Sequence, residues 1–462
     1  MGKKQNKRQA IALKNETRLG LFFYIFRYMN RIVITKTILL LFVSCLALAN
    51  ARQYTIESLK NPSTNQQNIA LLSQVQKTID VNRKSLKKLQ WLEVEKNEIV
   101  KVCIDGKIPV WETSMNAAIY NDSCLVFQAP TLIGVDSLKA FFRKDGESHK
   151  INLAVGMKYL NFKNEKVLLG YNETSDDLKR IFDLKEKDPE RFALVTGTYL
   201  VDKYPVTNCE FVQVLWDSIP EKSTYFNDEI REIQEGWISR KKSRARNETC
   251  DVHDTVVRKA FIYQSMKYAN ARSIREGLKP YYIFSSTEHK GIGMLSVDQY
   301  VVGYWDFTKH DKKSILVTTN KNSDGYRLPY YNEWMMLARG GDKVNDAPWG
   351  NGKASFEEIS KYSRFHNKRP LDRDNLNRPE PVGQLLPTGY GLYDVLGLVE
   401  EFVLFSLSQY INYDGIPFCM KGGGINYGYT NFGYYAAMAG FRLVRNIGNN
   451  AKWSEIKTVG KE

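Results

Sequence analysis

The hydrophobic pattern changes rhythm several times along the chain. Basic residues come first, then an apolar run, Ile38–Ala49, of 12 residues counting Ser44. That length is short for a membrane span and suits the core of a signal peptide. Ala47-Leu48-Ala49 and Ala49-Asn50-Ala51 both offer small-x-small cleavage sites, so residues 1–51 read as a signal with a basic extension. An uncleaved anchor is the alternative, and Met29 would start a signal of ordinary length. Leu72, Val75, Ile79, Leu86 and Leu89 then recur at helical spacing, which predicts an amphipathic helical segment within 52–92. Over 93–170 short apolar runs (Ile99–Ile104, Ser123–Phe127, Leu138–Phe142) alternate with turns such as Asp105-Gly106, Asn121-Asp122 and Asp145-Gly146. These predict a small β-rich domain. A charged stretch, 171–191, reads as a linker.

After 192 the texture changes again. A strand and turn over 197–206 lead into a helix capped by Thr207 or Asn208. A second helix is predicted over Ala260–Glu276, stopped by Gly277 and Pro280, and a third over Tyr331–Arg339, stopped by Gly340-Gly341. Regular elements are sparse in the rest of this region. Loops rich in glycine and aromatics must pack on one another there.

Composition narrows the function. Hydrophobic residues at 43% and aromatics at 12% supply a large core. The formal charge is +15, but residues 1–51 hold nine Lys/Arg against one Glu, which leaves +7 for the other 411 residues. The remaining basic residues are interleaved with acids, and no zinc finger, basic helix or aromatic–basic ribonucleoprotein motif occurs, so nucleic acid is not an expected partner. With Cys45 in the signal, five cysteines remain: Cys103, Cys124, Cys209, Cys250 and Cys419. Export permits disulfides; Cys103 and Cys124 flank one strand-rich stretch, and an odd count leaves a thiol free or paired between chains.

One stretch, Gly389–Phe402, puts Asp394 seven residues before Glu401 among recurring glycines. Two acids with inward carbonyls between them could hold a hard cation. On spacing alone, a tight loop with two solvated acids accounts for the same letters.

Eight blocks in order carry a family resemblance. They are Lys203-Tyr204-Pro205-Val206-Thr207-Asn208; Glu276-Gly277-Leu278-Lys279-Pro280-Tyr281-Tyr282; Tyr326-Arg327-Leu328-Pro329 with Glu333-Trp334 and Ala338-Arg339-Gly340-Gly341; Pro348-Trp349-Gly350-Asn351; Pro381-Val382-Gly383; Tyr390–Gly397; Gly422-Gly423; and Gly440-Phe441-Arg442. Over about 192–447 the chain resembles the formylglycine-generating enzyme family, also called sulfatase-modifying factor domains. The resemblance implies an α+β, C-type-lectin-like fold with little regular structure, preceded by the β-rich domain and followed by a tail over 448–462.

The resemblance also implies bound calcium. One family site falls on Asp394, Gly397, Val399 and Glu401, and a second on Asn367, Lys368, Asp374 and Leu376. The family usually reads Gly-Asn-Val-Trp-Glu-Trp where this chain reads Gly397-Leu398-Val399-Glu400-Glu401-Phe402. The family's oxidases use two cysteines after a Gly-Gly-Ser block, a soft pair that suits copper. Those positions here are Tyr427 and Phe432, so copper chemistry is not expected and no catalytic residue is assigned. Iron, used by other branches through histidines, is also not expected. The five histidines (His149, His253, His289, His310, His366) form no close pair in sequence. The expected function is an exported, non-catalytic binding or scaffold protein of the cell envelope, a pseudoenzyme similar to secretion or gliding ring components. It would meet an unidentified protein or glycan in the periplasm, at the outer membrane or outside the cell. The membrane is met only through the N-terminal segment. Tyr427, Tyr429, Phe432 and Tyr434 are the candidate contact surface. The alternative function is an oxidoreductase, of formylglycine-generating type or with non-haem iron, acting on a protein or small thiol.

Overall fold

The computed structural model describes residues 52–54, 70–82, 86, 91–105, 109–120, 123–143, 146–170, 190–218, 255–257, 260–296, 298–306, 311–342, 347–350, 354–364, 381–405, 418–422, 438–448 and 457–459. The first nine strands are β1 (Arg52–Tyr54), β2 (Lys77–Val81), β3 (Trp91–Val94), β4 (Ile99–Ile104), β5 (Val110–Thr113), β6 (Ala117–Tyr120), β7 (Cys124–Gln128), β8 (Gly134–Phe142) and β9 (Glu147–Val155). They form two sheets, ordered β1-β5-β8-β9-β3 and β2-β4-β7-β6. Period-two alternation turns Val100, Val102 and Ile104 from one sheet and Leu138, Ala140 and Phe142 from the other into a single buried cluster around Trp111. The result is a β-sandwich.

Two expectations are corrected here. Of the apolar positions assigned to a helix within 52–92, Leu72 and Leu86 are helical, Val75 is in neither helix nor strand, Ile79 is a strand position and Leu89 lies outside the described residues. Among the described residues before β2 only 70–72 is helical; Lys77-Thr78-Ile79-Asp80-Val81 of β2 alternates, and Leu92 and Val94 point into the sandwich from β3. Leu72 and Val75 pack with Leu71 over Ile99, Ala118 and Val126. Burial between sheets outweighed helical spacing, which is a weak prior in a short window. The small domain also ends before 170. β10 (Met157–Leu169) leaves the sandwich and pairs antiparallel with β11 (Arg191–Asp202).

A disulfide joins Cys103 to Cys124, residues that face each other across β4 and β7. Closing a loop of 21 residues stabilises the fold by about 3 kcal/mol in the chain-entropy account. Cys209 is also disulfide-bonded, and Cys419 keeps its thiol.

The larger region carries α1 (Asn208–Ser218), β12 (Ala260–Phe261), α2 (Ile262–Arg275), β13 (Tyr282–Glu288), β14 (Gly293–Ser296), β15 (Gln299–Asp306), β16 (Asp311–Thr319), α3 (Tyr331–Arg339) and α4 (Phe356–Ser360). β17 (Glu401–Leu404), β18 (Phe418–Lys421), β19 (Met438–Ala439), β20 (Val444–Ile447) and β21 (Lys457–Val459) complete it. The Thr207 hydroxyl accepts from the Glu210 amide at 3.4 Å, as the capping expectation requires. α3 ends at Gly340 in the left-handed region (φ 63°), where glycine carries no Cβ penalty. α2 starts two residues later than expected because Ala260-Phe261 pairs with β19. The sheet β13-β16-β15-β14 is an addition to the sequence reading. Among the described residues no helix is long and apolar enough to cross a membrane.

The sandwich and the larger region share a core. Ile133, Ala154 and Met157 join the cluster built on Phe211, Met266, Tyr268 and Phe441. Lys96, on the turn after β3, forms an almost fully buried ion pair with Glu210 of α1 at 2.9 Å. Glu210 also accepts from the Ile133 amide at 3.3 Å, and Arg275 donates to the Ile133 carbonyl at 2.6 Å.

Candidate functional site

The Gly389–Phe402 loop is a junction of six distant segments. The Gly389 backbone sits so close to Gly340 that a Cβ on Gly389 would lie 2.3 Å from the Gly340 carbonyl oxygen. The Tyr393 amide donates to Lys203, Gly397 to Gly422, Leu398 to Arg364 and Phe402 to Gly440, all backbone to backbone. The Asp394 carboxylate accepts from the Gly383 amide at 2.6 Å. Gly397 (φ 81°) has no room for a side chain, because a Cβ would fall 2.3 Å from the Ser363 hydroxyl and 2.4 Å from the Arg364 carbonyl. Asp394 (φ 54°) and Leu398 (φ 56°) both adopt left-handed backbone. Aspartate tolerates that region through its short polar side chain; for leucine it is strained.

Glu401 is fully buried, and both oxygens of its carboxylate are already held by donors. Arg442 donates from Nη2 to Oε1 at 2.7 Å and from Nε to both oxygens at 2.9 and 2.8 Å. Trp334 Nε1 donates to Oε2 at 2.9 Å. A carboxylate has about four lone-pair sites, and three N–H groups point at them, the Nε–H shared between both oxygens. Arg442 also donates to the carbonyls of Asp202, Lys203 and Tyr393 at 3.2, 3.4 and 2.8 Å. A second buried pair adjoins it: Arg272 donates to both oxygens of Asp202 at 2.8 and 3.0 Å, and Asp202 accepts from the Leu443 amide. Burial disfavours the Arg272 charge, but Asp202 outweighs it and holds the guanidinium firmly protonated.

The calcium ligands implied by the resemblance can now be fitted. Calcium takes roughly six to eight oxygens at about 2.3–2.6 Å. The structure brings Asp394, Gly397, Val399 and Glu401 into one loop, but three of the four acceptors are engaged. Glu401 is held by Arg442 and Trp334, Gly397's carbonyl accepts from Val399 at 2.6 Å, and Asp394 holds Gly383. As arranged, the set does not fit the ion. Among the described residues no group of three or more His, Cys, Asp or Glu gathers as metal ligands would. Asn367, Lys368, Asp374 and Leu376 lie outside the described residues, as do Tyr427, Tyr429, Phe432 and Tyr434. His149, on β9 of the sandwich, packs its ring edge-on to Phe142, while His289's amide donates to Ser314; the other three histidines are outside the described residues.

The functional partners missed by sequence reasoning are Arg442 and Trp334. Each lay in a quoted block, but nothing in the letters pairs Arg442 with an acid 41 residues earlier.

Burial raises the Asp394 carboxyl above the usual range, the Gly383 amide opposes this, and Glu401 adds to it. An acid with a raised folded pKa costs stability as pH rises through that pKa. Asp394→Asn keeps an acceptor for Gly383 and tolerates left-handed backbone. It should therefore raise the melting temperature at about pH 7 and lose that advantage below about pH 3, where the carboxyl is protonated in the folded and unfolded states alike. Calorimetry at the two pH values checks this.

Residues 168–447 match the sulfatase-modifying factor enzyme 1-like domain, and the chain belongs to that family. It is 32% identical over 148 residues to chaperone protein LppX of Paenibacillus barcinonensis, spanning 30% of this chain and 48% of that protein. It is 37% identical over 87 residues to inactive C-alpha-formylglycine-generating enzyme 2 of Bos taurus, spanning 19% and 28%. Over 81 residues it is 36% identical to the formylglycine-generating enzyme of Thermomonospora curvata, spanning 17% and 26%. The chain thus spans about half or less of the length of these relatives. Among solved structures, Treponema denticola variable protein 1 aligns with a TM-score of 0.35 at 16% identity, covering 68% of this chain and 99% of that one.

Proposed function

We propose that this chain is an exported, non-catalytic member of the family that works as a binding or scaffold protein in the cell envelope. One observation carries the reading: no cysteine follows Cys419, and Tyr427 and Phe432 stand at the family's two catalytic cysteine positions. Without a thiolate pair there is no soft site for copper and no sulfur to carry the oxidation. The disulfide at Cys103–Cys124 and the bonded state of Cys209 suit an oxidising compartment. Likeness to one protein named inactive and another named a chaperone supports a role without turnover. Tyr427, Tyr429, Phe432 and Tyr434, in the segment where the family keeps its active site, are proposed as contact residues for a protein or glycan.

The test is direct. Purified protein given copper, oxygen and a cysteine-containing peptide should consume no oxygen and form no aldehyde. Turnover above the protein-free control would reject the reading.

A further inference from the structure

We propose that Arg442 does, within this chain, the loop-holding work that a bound calcium ion would otherwise do at Asp394–Glu401. The guanidinium is surrounded as a metal would be. Both Glu401 oxygens and the carbonyls of Asp202, Lys203 and Tyr393 converge on one buried cation, and they come from β11 and its following turn, from the glycine-rich loop and from β17. The charge balances: one arginine faces one carboxylate, both fully buried. A divalent ion on the same carboxylate would sit against the Arg442 guanidinium in a low-dielectric interior, where like-charge repulsion is strong.

The apolar side of the loop agrees. A calcium shell that lacks enough protein oxygens is completed by water. Here Leu398 and Val399 are buried in a cluster with Val256 and Val382. Leu398 stands where the family has asparagine, so the loop has exchanged a polar side chain for an apolar one at the position that accepts left-handed strain. The loop should then hold together independently of the calcium level around it.

The experiment uses the full chain, melted in calcium and in EGTA, for the wild type and for Glu401→Gln. Coincident wild-type curves support the proposal. A calcium shift of the same size in both proteins also supports it, because the ion then binds away from Glu401. A calcium shift present in the wild type and lost in Glu401→Gln overturns it. Should Glu401→Gln fail to fold, Asp394→Ala takes its place: a wild-type shift that persists in that variant supports the proposal, and one that it abolishes overturns it. Arg442→Lys adds an independent reading. It keeps the charge and loses the fork, so its melting temperature should fall in both buffers alike; recovery of the wild-type value in calcium would overturn the proposal.

Discussion

Replacing Arg442 by methionine should cost about 3–5 kcal/mol, the range found when one partner of a buried ion pair is removed. For a domain of this size that is roughly a 10 °C loss in melting temperature. Methionine fills much of the volume, so the loss reports the stranded groups. Glu401 would keep only Trp334 as a donor, and the carbonyls of Asp202, Lys203 and Tyr393 would lose one each. Glu401→Gln should cost a similar amount from the other side, because an amide presents a donor to a guanidinium. The double variant should lose clearly less than the sum of the two, since neither partner is left charged and alone. Denaturant melts of the four proteins measure the coupling. Additive losses would mean that the pair is not the unit the geometry describes.

The sequence allowed half of this unit to be read. Gly389–Phe402 stood out by its glycines and spaced acids, and Gly440-Phe441-Arg442 by its place among the blocks. Their pairing is a tertiary fact, fixed by the antiparallel β17–β18 ladder and by the bridge from Glu401 to Gly440. Local signals fared better. α3 was legible to the residue because a helical apolar face ends at a glycine that takes left-handed backbone. The cross-strand disulfide was one pairing the sequence allowed, since Cys103 and Cys124 flank one strand-rich stretch, and the structure selects it. The sheet β13-β16-β15-β14 was missed although Tyr300-Val301-Val302 and Ile315-Leu316-Val317 carry strand-forming residues. Its strands mix buried and half-exposed positions, and register shifts interrupt the ladders between β13 and β16 and between β14 and β15. Of the spacing that reads as a helix within 52–92, Ile79 became a strand position on β2, where a second sheet covers the strand, while Leu72 is helical.

The Lys96–Glu210 pair should contribute a stability that depends on pH. In the wild type, burial pushes the Glu210 carboxyl up, but the charge and hydrogen bond of Lys96 win, with help from Arg272, and its pKa falls below the usual value. A lowered folded pKa means stability that is present above the unfolded pKa and lost as pH falls through the folded one. Lys96→Met removes the main opposing influence. Burial then dominates, the folded pKa rises above the unfolded value, and the contribution changes sign: the variant loses stability as pH rises through the raised pKa. At about pH 7 it should be several kcal/mol weaker than the wild type, and the gap should narrow on acidification toward about pH 4.5. Lys96→Met with Glu210→Gln should restore much of the loss and flatten the pH dependence. Melting each protein across that pH range decides it. A gap that is constant with pH would show that Lys96 contributes packing alone. A narrowing gap would tie the sandwich to α1 through charge. Because Ile133, Ala154 and Met157 also lie in the larger region's core, the wild type should melt in one transition. The β-sandwich, which precedes the matched residues 168–447, would then unfold together with the family domain.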